Sequence, residues 1–165
     1  MSDNYNIIIK NGSCYIEGKL VKIDIALANN KIKKIGKIEL NSSKVIDATN
    51  KVILPGIIDT QVHFREPGST DAEDLESGSM AAVLGGVTSL FEMPNTNPPT
   101  SNLIEFEKKL NLAKNRMYSN YAFYFGATPD NIEQLSQLKN LKGCCGVKLF
   151  AGSSTGKLLV DKESD

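Results

Sequence analysis

Pro55-Gly56-Ile57-Ile58-Asp59-Thr60-Gln61-Val62-His63-Phe64-Arg65-Glu66-Pro67-Gly68 is where this chain of 165 residues changes its pattern. Gly56 to Asp59 reads as a short apolar strand ending in polar residues. Thr70-x-x-Glu73 then predicts the capping box of a helix running to Gly85-Gly86. Val87 to Phe91 is the next expected strand, and Thr100 or Ser101 is expected to cap a second helix. That helix carries Leu103, Phe106, Leu110 and Ala113 at spacings of three and four, an amphipathic stripe. Asn120 to Phe125 predicts a third strand, Asp130-x-x-Glu133 a capped helix with Ile132, Leu135 and Leu138, and Cys145 to Phe150 a fourth strand. Strands and helices alternating through short connections imply a parallel sheet with helices outside it. In such sheets chemistry gathers at the carboxyl ends of the strands.

Upstream of Pro55 the signals are those of closely spaced strands. Ile7-Ile8-Ile9 runs into the turn Asn11-Gly12. Ile23, Ile25 and Leu27 alternate with Lys22, Asp24 and Ala26, the period of a half-buried strand. Asn29-Asn30 turns the chain into Lys31 to Ile35, and further β-rich pieces follow at Lys44 to Ile46 and Lys51 to Leu54. Residues 1–55 are therefore expected to form a small antiparallel sheet or sandwich, separate from residues 56–165.

Composition narrows the function classes. With 41% hydrophobic residues the chain can bury a core. Nineteen basic and nineteen acidic side chains leave no net charge, so the footprint expected of nucleic-acid binding is missing. No apolar run approaches the ~18 residues of a membrane span. Met1-Ser2-Asp3-Asn4-Tyr5 lacks the basic and apolar regions of a secretory signal. Three cysteines, two of them adjacent at Cys144-Cys145, suggest reduced thiols and a cytoplasmic location. There is one histidine, His63, so a mechanism needing two imidazoles cannot be completed by these residues.

Three strand ends carry candidate chemistry. Gln61 and His63 lie two apart and so share one side of a strand; His63 is a good zinc ligand, whereas Gln61 offers only a neutral amide oxygen. Arg65 presents a fork suited to a carboxylate. A lone histidine is more often structural than a ligand, and Arg65-Glu66 has the look of a surface ion pair. After the second strand, Asn95 in Glu92-Met93-Pro94-Asn95-Thr96-Asn97-Pro98-Pro99-Thr100 can recognise a ring amide or simply turn the chain; for Asn97 the turn is the simpler reading. In Gly146-Val147-Lys148-Leu149-Phe150-Ala151-Gly152-Ser153-Ser154-Thr155-Gly156, Lys148 lies between apolar residues near the middle of the expected strand. Desolvation there favours a neutral amine, which carbon dioxide converts to a carbamate able to bridge two metal ions. The alternative is a lysine that snorkels to solvent or pairs with an acid. Gly152 to Gly156 could form a phosphate nest but lacks the ending of a P-loop.

The three blocks 55–68, 92–100 and 146–156, in this order behind a β-rich leader, resemble the dihydroorotases of the cyclic amidohydrolase superfamily. The resemblance extends over essentially the whole chain. It implies an α/β protein: a small β-sandwich segment (1–55), then the first half of a metal-dependent (β/α)8 barrel (56–165, about four βα units). It implies hydrolysis of a cyclic amide, interconverting N-carbamoyl-L-aspartate and L-dihydroorotate in pyrimidine synthesis. His63 would then be a zinc ligand, Lys148 the carbamylated bridge of a binuclear zinc site, and Arg65 and Asn95 the holders of the substrate carboxylate. Two departures stand out. Position 61 is usually the first histidine of a His-x-His pair, and here it is Gln61. A whole barrel needs ~250 residues, whereas 110 follow Pro55. The 165 residues alone are therefore expected to be inactive, and to self-associate or to need a complementing C-terminal barrel chain. A non-catalytic relic or scaffold, and a hydantoinase- or allantoinase-like enzyme, are the competing readings.

Overall fold

The computed structural model describes residues 5–39, 42, 44–153 and 158–162. The chain divides into two compact units, residues 1–55 and 56–165.

The first unit holds seven short strands: β1 (Ile7–Lys10), β2 (Ser13–Ile16), β3 (Lys19–Lys22), β4 (Asp24–Ala28), β5 (Lys31–Gly36), β6 (Lys44–Asp47) and β7 (Val52–Ile53). They form two sheets, ordered β5-β4-β1-β6 and β3-β2-β7. Asparagines make the turns: Asn11, Asn29, Asn30 and Asn50 all take positive φ, which their short polar side chains tolerate. The sheets are not purely antiparallel, because β6 joins β1 and β7 joins β2 in parallel. In β4, Ile25 of the expected Ile23-Ile25-Leu27 row is buried, and so is the alternate row. Ala26 stands opposite Ile8, and both are buried with Tyr5, Ala28 and Ile38. The small alanines leave room for Tyr5 and Ile38 over β1.

The second unit is built from β8 (Ile57–Val62), α1 (Leu75–Leu84), β9 (Val87–Glu92), α2 (Leu103–Ala113), β10 (Asn120–Gly126), α3 (Ile132–Leu135) and β11 (Cys144–Lys148). The four strands are parallel and lie in chain order, β11-β10-β9-β8. Each expected helix start is displaced. Asp74, not Thr70, caps α1: its carboxylate accepts from Ser77 N at 2.7 Å, while residues 69–72 are spent on a turn closed by Ala72 N donating to Ser69 O. Asn102, not Thr100 or Ser101, caps α2 by accepting from Glu105 N at 2.9 Å. The third helix shrinks to one α-turn between two 3₁₀ turns, Pro129–Asn131 and Ser136–Asn140. Leu138 reaches the core, but Ile132 stays 57% exposed, so no continuous apolar stripe is buried to hold a longer helix. The fourth strand ends at Lys148, because Phe150 makes a separate parallel bridge with Leu159.

The two faces of this sheet are unlike. On one, Leu90, Phe123 and Phe125 pack against Leu75 of α1 and Phe106 and Ala113 of α2, all buried. Register puts Phe91 beside Ala122, Tyr124 beside Gly146 and Gly126 beside Lys148 on the other face. Ile58 belongs to that second face and is 59% exposed, and the Phe91 and Tyr124 rings meet there edge to face at 6.4 Å. Among the described residues Leu158, fully buried, packs over Gly126 at the carboxyl end of this face, while the Ile58 end is left open.

Candidate functional site

The carboxyl ends of β8 and β9 are laced together. Met93 N donates to Val62 O at 3.0 Å, and Asn97 N donates to Pro67 O at 3.0 Å. Between these two bonds the side chains of His63 and Asn95 meet, Nδ1 to Oδ1 at 2.9 Å. Gly68 closes the crossing. Its φ is +124°, and a Cβ there would stand 3.0 Å from Asn97 Cβ and 3.1 Å from Asn97 O, so only glycine lets the two loops come this close. Phe64, Arg65, Pro67, Ser69, Asn95 and Asn97 are among the residues lining a cavity of about 340 Å³ at this corner.

Each expected site residue has a definite place. His63 and Asn95 are half-buried and in contact; Arg65 is exposed on the same cavity and makes no ion pair or hydrogen bond among the described residues. Gln61 is exposed, just where β8 bulges: one extra residue between Asp59 and Val62 breaks the register with β9. Such bulges re-aim side chains at strand ends. Lys148 is half-buried at the carboxyl end of β11, not in mid-strand, with Nζ 5.0 Å from the Phe150 ring centroid. The Phe150 ring thus lies within cation–π range of this amine. β9 and β10 separate it from β8, about 14 Å along the sheet at ~4.8 Å per strand. Among the described residues no three His, Cys, Asp or Glu side chains converge as a metal cluster. Residues 154–157, and with them most of the suggested nest, lie outside the described residues.

The expected Arg65-Glu66 surface pair is not formed. Glu66 is buried, and its carboxylate accepts from Leu75 N at 3.0 Å and from Arg116 Nη1 at 2.7 Å. It thereby ties the His63–Gly68 loop to the amino end of α1 and to the residues just after α2, where an anion is also favoured by the helix dipole. The Glu66 carboxylate holds the Arg116 guanidinium above its ordinary value. Phe64 packs on Gly78 of α1, where any side chain would collide with its ring. With Glu66 engaged behind the loop, Arg65 is left to the cavity.

A second charged pair lies beneath β9. Lys109 Nζ is 2.8 Å from Glu92 Oε2, both side chains no more than 2% exposed, and it also donates to Met93 O at 3.3 Å and covers the Phe123 ring. At 2.8 Å the carboxylate contact is a close ion pair, and Glu92 Oε1 has no hydrogen-bond partner among the described residues. Burial pushes Glu92 up to about 7 in spite of Lys109, and burial pushes Lys109 down from its ordinary value. Sequence reading missed this pair, yet Lys109 falls inside the Phe106–Leu110–Ala113 stripe, where a lysine must find a partner.

The Dihydro-orotase-like family model matches residues 50–153. This chain belongs to the dihydroorotase-like family. It is 40% identical over 161 residues to a dihydroorotase of Methanosarcina acetivorans, covering 96% of this chain and 34% of that protein. An allantoinase of Desulfitobacterium hafniense is 37% identical over 150 residues, covering 90% of this chain and 33% of the relative. The L-hydantoinase structure from Arthrobacter aurescens superposes with a TM-score of 0.85 at 28% identity, over 94% of this chain and 35% of that one. The chain thus spans about a third of the length of the relatives it matches. The family is one of cyclic amidohydrolases, and its α/β fold is shared by this mixed sheet-and-helix unit preceded by a small β unit.

Proposed function

We propose that these residues form the N-terminal portion of a dihydroorotase-type amidohydrolase, which opens and closes a cyclic amide carrying a carboxylate. In this reading residues 1–55 are a β-sandwich segment and 56–165 the first four βα units of a (β/α)8 barrel. The observation that carries it is Arg65, without an ion pair or hydrogen bond among the described residues, on the same cavity as Asn95 at adjoining strand ends. An Arg fork gives a carboxylate two parallel charge-assisted bonds, and the Asn95 amide NH₂ adds a third donor while its oxygen is occupied by His63. Hydantoins and allantoin lack a carboxylate, so an arginine facing the cavity with no partner among the described residues favours the dihydroorotate class over those.

The family resemblance implies zinc, and the donor set here fits part of such a site. His63, its Nδ1 occupied by Asn95, retains Nε2 as a ligand atom. Gln61 does not replace an imidazole, and Lys148 would serve only as a carbamate. A bound metal would supply hydroxide near neutral pH and polarise the ring carbonyl. The residues here would orient the substrate through Arg65 and Asn95; the remaining ligands and the general base would come from the part of the barrel that these residues do not include. Equilibrium binding of L-dihydroorotate against uncharged hydantoin tests the reading. The carboxylated ligand is expected to bind at least tenfold tighter, a preference removed in Arg65→Met. Equal binding of the two rings would contradict it.

A further inference from the structure

We infer that Asn95 is a positioning residue for His63, fixing the imidazole tautomer with the proton on Nδ1 and Nε2 left bare. An amide oxygen can only accept, so the ring nitrogen 2.9 Å from Asn95 Oδ1 must be the one that donates. The contact is held from both sides. Met93 N on Val62 O precedes it, Asn97 N on Pro67 O follows it, and Gly68 against Asn97 keeps the loops from drawing apart. Behind Asn95, Pro94 is buried and its carbonyl accepts from both Thr96 N and Thr100 N at 2.9 Å, so the Asn95 backbone has little freedom to swing. A neutral imidazole with an accepting Nε2 can bind an electrophile or take a proton without first rearranging. This rests on the proposed function only for what Nε2 meets; the tautomer itself is set by β8 and β9. It gives Asn95 two tasks on its two amide atoms, the oxygen for the ring and the NH₂ for the cavity.

The single histidine makes this directly observable, because a two-bond proton–nitrogen correlation spectrum of the ¹⁵N-histidine-labelled chain contains one imidazole. At a pH where the ring is neutral, Nδ1 is expected to be protonated and Nε2 bare. Asn95→Leu should move the tautomer ratio about fivefold toward Nε2–H, the size one neutral hydrogen bond supports. Asn95→Asp, which keeps an acceptor at that point, should restore the Nδ1–H form. An Nε2–H ring in the unaltered chain, or a ratio unchanged in Asn95→Leu, would overturn the inference. Zinc added to the same sample separates it from the functional reading. A bare Nε2 whose resonance ignores zinc leaves the tautomer assignment standing and counts against the metal; an Nε2–H ring overturns the tautomer assignment whatever zinc does.

Discussion

The two faces of the β11-β10-β9-β8 sheet differ in how much of their packing the chain supplies for itself. On the helix face Leu90, Phe106, Phe123 and Phe125 are each no more than 1% exposed. On the other face Ile58 is open and the Phe91–Tyr124 pair only half-buried, yet Lys148 ends a strand there. The helix face carries this unit's own packing, and the other face is the one that the proposed barrel would cover.

The largest expected effect comes from cutting into the finished face. Phe123→Ala removes a fully buried ring touching Phe106, Tyr121 and Lys109, and should cost about 3–5 kcal/mol by urea denaturation. Tyr124→Ala on the open face should cost less than half as much; equal costs would mean that the open face is covered after all.

Nearly as large is the loss of Lys109. Lys109→Met leaves Glu92 buried without its cation and should cost about 3–5 kcal/mol at pH 8. The sign with pH follows from the raised value of Glu92, about 7 against an ordinary 4.5. Such a group favours the fold below its unfolded value, and that contribution is lost as pH rises through its folded value. The cost of Lys109→Met should therefore be smaller at pH 6 than at pH 8, because the carboxyl takes up a proton. Glu92→Leu with Lys109→Met should restore most of the loss, since apolar replacements of buried pairs are often neutral. A penalty independent of pH would contradict the account of this pair.

A middle-sized effect is expected where the finished part supports the site. Glu66→Gln should cost about 1–3 kcal/mol by weakening the bond to Arg116. It should also loosen the His63–Gly68 loop, read as faster hydrogen exchange at Asn97 N.

The smallest effect belongs to the metal. The chain is expected to hold less than one equivalent of zinc tightly after dialysis, and Gln61→His to strengthen that binding by placing a second imidazole beside the first. Two tightly held zinc ions in the unaltered chain would show that these residues close a site by themselves.

How far the sequence could be read depended on range. The alternating strands, the stripe of α2 and the strand-end positions of His63, Arg65 and Asn95 were legible, because period and chain order encode them. The caps were not: Asp74 wins over Thr70 only because the 69–72 turn delays the helix. Nor was Glu66, whose partner Arg116 is fifty residues away. The bulge before Val62 and the Lys148–Phe150 contact are tertiary outcomes that residue spacing does not carry. The dihydroorotase-like resemblance drew on the blocks that chemistry constrains most, and the family match covers all three at least in part.

The proposal at stake is that the open face and strand edges of residues 56–165 would form one side of a larger barrel. Unpaired edges invite other strands, and the side chains left waiting, at ~1.5–3 kcal/mol each when buried, are comparable in sum with a domain's ~5–15 kcal/mol of stability. Sedimentation velocity at micromolar concentration tests this most directly, with the 165 residues expressed alone and then mixed with the C-terminal two thirds of the Methanosarcina acetivorans relative. The account predicts self-association or aggregation alone, and a defined complex on mixing. A cooperative, well-folded monomer that ignores the added chain would contradict it.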